Sequence, residues 1–307
     1  MLNRVTNLTM SASAQRTLQT QQARLAQLQD KATSLDKITR PSDDPAATAQ
    51  ALETRALLAA NAQYGRNIDD GGSWLTAADS ALGQATNVIQ KIRDLTVLAG
   101  NGSLPQSGKD AIAIEMEALN QDLVSIANSK HLGRNIFAGS SDADQAFTPG
   151  TPRDPSNPGA AGQPPTFNGA GVSPVERRVS ATQTVRVDAD GAAIFGTGVG
   201  SVFAVVSNIA AKLRSGGDST TELGTLDTAF NAVINGRAEI GTRQAQLERA
   251  GDVNTELEAN LDAQRIGIEK ADLGSVILDL KLQETNYQVA LAATARVLQP
   301  TLMDFLR

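Results

Sequence analysis

Residues 38–55 read ITRPSDDPAATAQALETR, and the punctuation of this stretch decides the fold. Pro41 and Pro45 bracket Ser42, Asp43 and Asp44 between two segments of helical character. The residue before Pro41 is pushed out of the α region, so a helix arriving from the N-terminal side ends near Thr39. A new helix can start at once. Asp44 suits the N-cap, and Pro45 suits the first helical position, where a missing N–H costs nothing. Paired acids can also hold Mg²⁺ or transfer protons. No second acid cluster or basic partner accompanies these two, and acids at a helix N-terminus oppose the positive end of its dipole. Pro41, Asp43, Asp44 and Pro45 are therefore read as a helix junction.

Upstream of it, Leu18, Leu25, Leu28, Ala32 and Leu35 are spaced 7, 3, 4 and 3, an a/d seam. Downstream, AATAQALETRALLAANAQYGRNI is strongly helix-forming. Gly71 and Gly72 are read as loosening the chain. Trp74, Leu75, Ala78, Leu82, Ala85, Ile89 and Ile92 then form one stripe, NGSLPQSG a turn, and Ile112, Met116, Leu119, Leu123 and Ile126 a further stripe, so an antiparallel helical hairpin is expected. Residues 148–174 hold most of the 11 prolines, and no helix runs through them. Val185 and Val187 alternate before an Asp-Gly turn, which reads as a few short strands. Helix returns from Ser201. Leu273, Ile277, Leu280, Tyr287, Leu291 and Leu298 form a C-terminal seam whose slots at Glu284 and Thr294 are imperfect.

The expected fold is mainly α: an elongated helical bundle or coiled coil built from both chain ends, with a small β-rich inserted subdomain. Residues 1–43 and 270–307 are the terminal coiled-coil helices, 44–139 and 202–269 a helical rod, and 140–201 a Pro/Gly-rich β insert. Each terminal helix has one narrow apolar stripe, and isolated helices are marginal in water. The ends are thus expected to order on assembly.

Composition narrows the chemistry. Among 307 residues, 41% are hydrophobic, enough for a core, but only 3% are aromatic, so helices pack through small aliphatic side chains. A formal charge of −6 with no basic cluster offers no general attraction to nucleic acid or to an anionic membrane. With no cysteine and one histidine, thiol nucleophiles, disulfides and thiolate zinc sites are excluded. Glycines 196, 198 and 200 fall short of a dinucleotide loop because Ser201 holds the third slot, and no lysine follows them; Ser201 is read as a helix N-cap. His131 lacks catalytic partners at recognisable spacing. No enzyme activity, cofactor or metal is expected. MLNRVTNLTMSASAQRT has no apolar stretch of the kind a cleaved secretory signal needs.

Four segments carry a resemblance. ITRPSDDPAATAQALETR and NIDDGGSWLTAADSAL (67–82) resemble the N-terminal signature of the flagellin superfamily, and NYQVALAATARVLQPTLMDFLR its C-terminal helix. LGRNIFAGSSD (132–142) is similar to the G-x-x-x-FAG signal of its hook–filament junction branch, the type 3 hook-associated proteins. One departure is SLDKI at 34–38, where the family more often has S-S/T-G-K/R-x-I; the missing glycine leaves the end of the first helix less sharply turned. The resemblance implies a structural subunit of the bacterial flagellum that forms a homo-oligomeric ring between the type 1 hook-associated protein and flagellin. It also implies export through the flagellar channel to the cell exterior, with a chaperone masking the C-terminal helix beforehand. In the ring, Leu18, Leu25, Leu28 and Leu35 are expected to pack with Leu280, Leu291 and Leu298. Filament flagellin, whose endings LQPTLMDFLR also resembles, is the second reading, and a cytosolic coiled-coil adaptor the third.

Overall fold

Helix accounts for most of the computed structural model, which describes residues 2–154, 156–157 and 159–297. The α-helices are α1 (Leu2–Ser34), α2 (Pro45–Ala99), α3 (Gln106–Ala127), α4 (Gly191–Phe195), α5 (Val202–Arg214), α6 (Leu223–Glu269) and α7 (Leu273–Val297). The strands are short and pair as three antiparallel two-stranded sheets: β1 (Lys130–His131) with β2 (Arg134–Asn135), β3 (Phe147–Thr148) with β4 (Thr166–Phe167), and β5 (Glu176–Arg178) with β6 (Thr184–Arg186). The fold is mainly α. The chain forms two compact units, residues 1–60 with 257–307, and residues 61–256. The division therefore falls inside α2 and α6 rather than at residues 43 and 270, and the 140–201 segment belongs to the same unit as the helices before and after it.

In the first unit α1 and α7 pack antiparallel. The less exposed residues of α1 are Ser11, Ala14, Leu18, Gln21, Leu25, Leu28 and Ala32, alternating at intervals of 3 and 4. Those of α7 are Val276, Leu280, Gln283, Tyr287, Ala290 and Thr294, with the same alternation, and Glu284 beside them. This is a coiled-coil seam. Among the described residues of the pair only Val276 and Gln283, 7% and 6% exposed, are buried, because two helices alone cover just one stripe of each other. The C-terminal seam expected through Leu273, Ile277 and Leu291 is corrected here: all three side chains are exposed. Gln283 and Ala290, which a search for large aliphatic residues passes over, fill seam slots instead, and Thr294 keeps the slot expected for it. Leu298 lies outside the described residues.

The first helix turns sharply at its end without a glycine. Leu35 adopts φ 58°, and its N–H donates to Lys31 O at 2.9 Å. An L-residue in this left-handed region carries a cost of about 1–2 kcal/mol that glycine escapes. Leu35→Gly is therefore expected to leave this turn about 1 kcal/mol more stable than Leu35→Ala does, the reverse of their order inside a helix. Hydrogen-exchange opening energies of the amides in the last turn of α1 read the difference.

The second unit has a continuous apolar core. Along α2, Trp74, Leu75, Ala78, Leu82, Ala85, Ile89 and Ile92 are buried. Leu226, Val233, Ile240 and Leu247, seven apart on α6, are buried with them. Arg237 pairs with Asp79 at 2.6 Å and Arg93 with Asp227 at 2.9 Å, so α2 and α6 lie side by side. The helix α2 runs unbroken through Gly71 and Gly72, contrary to the sequence expectation. Gly71 is a contact glycine: a Cβ there would sit 3.0 Å from Val187 Cγ1 and 3.1 Å from Leu247 Cδ1. Intimate packing on one side holds the helix where propensity alone would loosen it.

The insert docks through aromatic rings. Phe147 lies 5.0 Å from Phe167, 5.8 Å from Phe195 and 5.2 Å from Phe203, and Phe137 stands edge-on to Phe195 at 5.2 Å. The Asp190-Gly191 pair is not a hairpin turn. Asp190 caps α4, accepting from Ala192 N and Ala193 N at 3.0 and 3.1 Å. A side chain at Gly191 would meet Phe137 O at 2.5 Å, so the glycine answers a packing demand. The true two-residue hairpin turn is Leu132-Gly133, both at positive φ, between β1 and β2. Ser201 caps α5, its Oγ accepting from Ala204 N at 3.2 Å.

Candidate assembly interface

The two acids of the junction do different work. Asp43 Oδ2 accepts from Thr39 Oγ1 at 2.8 Å and from Arg40 N at 3.0 Å, closing the turn that follows α1. Asp44 caps α2, with Oδ1 accepting from Ala47 N at 2.9 Å and its carbonyl from Thr48 N at 2.9 Å. Pro45 is the first residue of α2, and Pro41 lies in the turn.

Opposite this junction the second long helix also breaks. Between α6 and α7, Asp272 Oδ1 accepts from Gly274 N at 3.1 Å, capping the restart as Asp44 does. The two breaks are stitched together. Lys37 N donates to Glu269 O at 2.7 Å, and Ala271 N to Leu35 O at 2.8 Å. Lys270 Nζ pairs with Asp36 at 2.7 Å, and Arg55 Nε with Glu269 at 2.6 Å. Sequence reasoning passed over Asp36, Arg55, Glu269 and Lys270. The signal available for them is the second restart, KADLG, with an acid just before the new helix as in the first.

Hydrogen bonds hold Asp43 and Glu269 in their charged form. The Thr39 hydroxyl, then the Arg40 N–H, lower the pKa of Asp43 below the usual carboxylate value. Glu269 is lowered chiefly by its hydrogen bond from Arg55. A carboxyl with a depressed native pKa adds stability that is complete above its unfolded value, about 3.9–4.3. That contribution is lost as pH falls through the lower native value. Acid titration followed by carboxyl-carbon NMR is expected to give Asp43 and Glu269 midpoints below those of the unfolded chain. Their protonation should loosen the junction while neutral pH leaves it intact.

Along the seam the buried polar contact is Gln283, whose Nε2 donates to Gln21 O at 3.3 Å and also to Gln21 Oε1. A polar pair in an apolar seam specifies register at some cost in stability. Leu18, Leu25, Leu28 and Leu280 lie on the seam and are half-buried, as is Leu35 at the end of α1; Leu291 points away from it. Leu278, Leu282 and Val289, spaced 4 and 7, make a second row on α7, exposed at 70%, 63% and 62%. The helix is thus apolar on more than the side its partner covers. Among the described residues, no helix is long and apolar enough to cross a membrane.

Two family profiles match this arrangement: the bacterial flagellin N-terminal helical region over residues 5–142, and the C-terminal helical region over residues 223–306. The chain belongs to the flagellin superfamily. Its two flagellin regions flank the proline-rich insert and contain both helix breaks and both partners of the seam. Flagellar hook-associated protein 3 of Salmonella typhimurium is 25% identical over 295 residues, covering 88% of this chain and 89% of that protein. The flagellar filament 30.7 kDa core protein of Treponema maltophilum is 26% identical over 269 residues, covering 87% and 86%. In fold, the chain resembles the crystal structure of flagellar hook associated protein-3 from Legionella pneumophila, with a TM-score of 0.58 at 16% identity over 69% of this chain and 96% of that one.

Proposed function

We propose that this chain is a structural subunit of the bacterial flagellum that forms the junction layer between hook and filament. The observation that carries the reading is the similarity to hook-associated protein 3, which runs through nearly the whole length of both proteins and not only through the flagellin-like ends. The physical means is coupled folding and assembly. The α1–α7 pair buries little within one chain, while α7 keeps Leu278, Leu282 and Val289 exposed. Burying a leucine is worth about 1.5–3 kcal/mol, and ordering backbone costs about 1–2 kcal/mol per residue. Neighbouring subunits supply the missing contact. Leu18, Leu25, Leu28 and Leu35 then face Leu280 across the seam, and Leu291 and Leu298 meet neighbours.

In this role the subunit stacks as a ring on the type 1 hook-associated protein, receives flagellin on its outer side, and performs no reaction. It leaves the cell through the flagellar channel with its C-terminal helix held by an export chaperone beforehand, and functions outside the cell. A chain without cysteine cannot be trapped by disulfides on that route.

A second reading, filament subunit, draws on the similarity to the Treponema filament core protein. Two experiments separate them. Cells lacking the gene are expected to carry intact hooks and to release unpolymerised flagellin, and the restored gene should rebuild filaments. Purified subunits seeded with filament fragments should fail to elongate them. Free elongation would replace the junction reading with the filament one.

A further inference from the structure

A cleft of about 660 Å³ opens in the second unit between α3 and the proline-rich segment. Its floor is one face of α3, with Asn120, Gln121, Val124 and Ser125 at its centre, and its far wall carries Pro149, Pro152 and Pro165. The wall has a built geometry. Gln163 N donates to Thr151 O at 3.0 Å. A Cβ at Gly150 would lie 1.9 Å from Gln163 O, and one at Gly162 2.8 Å from Thr151 O, so only glycine permits these two backbones to approach.

The charged groups of the cleft contact one another. Glu117 takes two hydrogen bonds from Arg214, at 2.7 and 3.2 Å, and Arg153 stands 3.4 Å from it, its buried Nε without a hydrogen-bond partner. The uncharged groups are less fully engaged. Asn120 Nδ2 donates to Phe203 O and Ser207 Oγ, at 3.1 and 3.0 Å, but the buried Asn120 Oδ1 has no partner. Gln121, Ser125, Gln145, Thr151 and Gln163 line the same space, and their side chains make no hydrogen bond among the described residues. A buried acceptor left open beside a row of solvent-facing amides and hydroxyls suits a ligand rich in neutral donors and acceptors.

From this we infer that the cleft binds a short neutral saccharide. Side-chain amides offer a donor and an acceptor together, which matches the vicinal hydroxyls of a pyranose, and the proline rings give its C–H face an apolar wall. The volume lies within the range of small-molecule sites, about 300–1,000 Å³. An apolar ligand would leave the amides stranded.

The test is a titration of the full chain with maltose, cellobiose and N,N′-diacetylchitobiose, followed by amide NMR. At least one sugar is expected to cause saturable shifts at the side-chain amides of Asn120 and Gln121 and at the backbone of residues 149–153. Gln121 and Ser125 are exposed, so Gln121→Ala and Ser125→Ala should fold normally and weaken that binding by about tenfold each, as loss of one hydrogen bond to the ligand would. The inference is overturned if no sugar shifts the cleft, if the shifts do not saturate, or if both variants bind like the parent. Equal shifts from a triglycine peptide would also overturn it, in favour of a peptide site. None of these outcomes depends on the junction role.

Discussion

Serine at positions 18, 25 and 28 together is expected to abolish filament attachment while leaving the second unit folded. Leu18, Leu25 and Leu28 are half-buried on the α1 seam, opposite Leu280 and Gln283 of α7. Each contributes about 1 kcal/mol, roughly half of the value for full burial of a leucine, and serine also places a hydroxyl in the seam. In the proposed ring every subunit would suffer the loss, so assembly should fail outright. The core of the second unit, from Trp74 through Ile92 to Leu247, contains none of the three. Swimming assays and electron microscopy of hooks read the first effect, and amide protection within residues 61–256 reads the second. Normal motility in the triple variant would mean that the seam does not carry assembly.

The other large effect concerns folding. Phe147→Ala removes a ring that is fully buried among Phe167, Phe195 and Phe203. Truncating a phenylalanine in such a place costs about 3–5 kcal/mol, because a cavity remains where the ring was. A denaturant midpoint measured on the second unit's unfolding transition should fall accordingly. Phe147→Leu refills part of the space and should cost clearly less. The reason for the large value is local: with few aromatics in the chain, this cluster fastens the insert to α5. A change below about 1 kcal/mol for the alanine variant would place the cluster outside the cooperative core.

Much of the helical part was legible because its signals are strong and local. The PSDDP junction announces itself by proline geometry and N-cap chemistry. The stripe from Trp74 to Ile92 follows the helical period with large side chains throughout. Part of the α7 seam was misread because two of its slots hold Gln283 and Ala290, which earn their place by a register-setting hydrogen bond or by small size and not by hydrophobicity; the Thr294 slot was legible. Gly71 and Gly191 were misjudged because a glycine's reason can lie in a distant residue, here Val187, Leu247 or Phe137. Leu35 takes up a conformation that favours glycine. Asp188 was invisible altogether. It is 1% exposed and accepts from Val175 N at 2.9 Å and from Arg186 at 2.9 and 3.0 Å, tying two sequence-distant segments of the insert. The cleft over α3 was equally hidden, since its wall forms only when residues 149–153 and 161–165 meet.

Everything proposed about assembly depends on terminal helices that become stable only when other subunits cover them. Hydrogen exchange of the purified, unassembled chain tests this most directly. Amides of residues 9–34 and 273–296 should exchange far faster than those of residues 74–95, and should become protected once the subunit is incorporated on hooks. Equal, strong protection of all three segments in the isolated chain would contradict it.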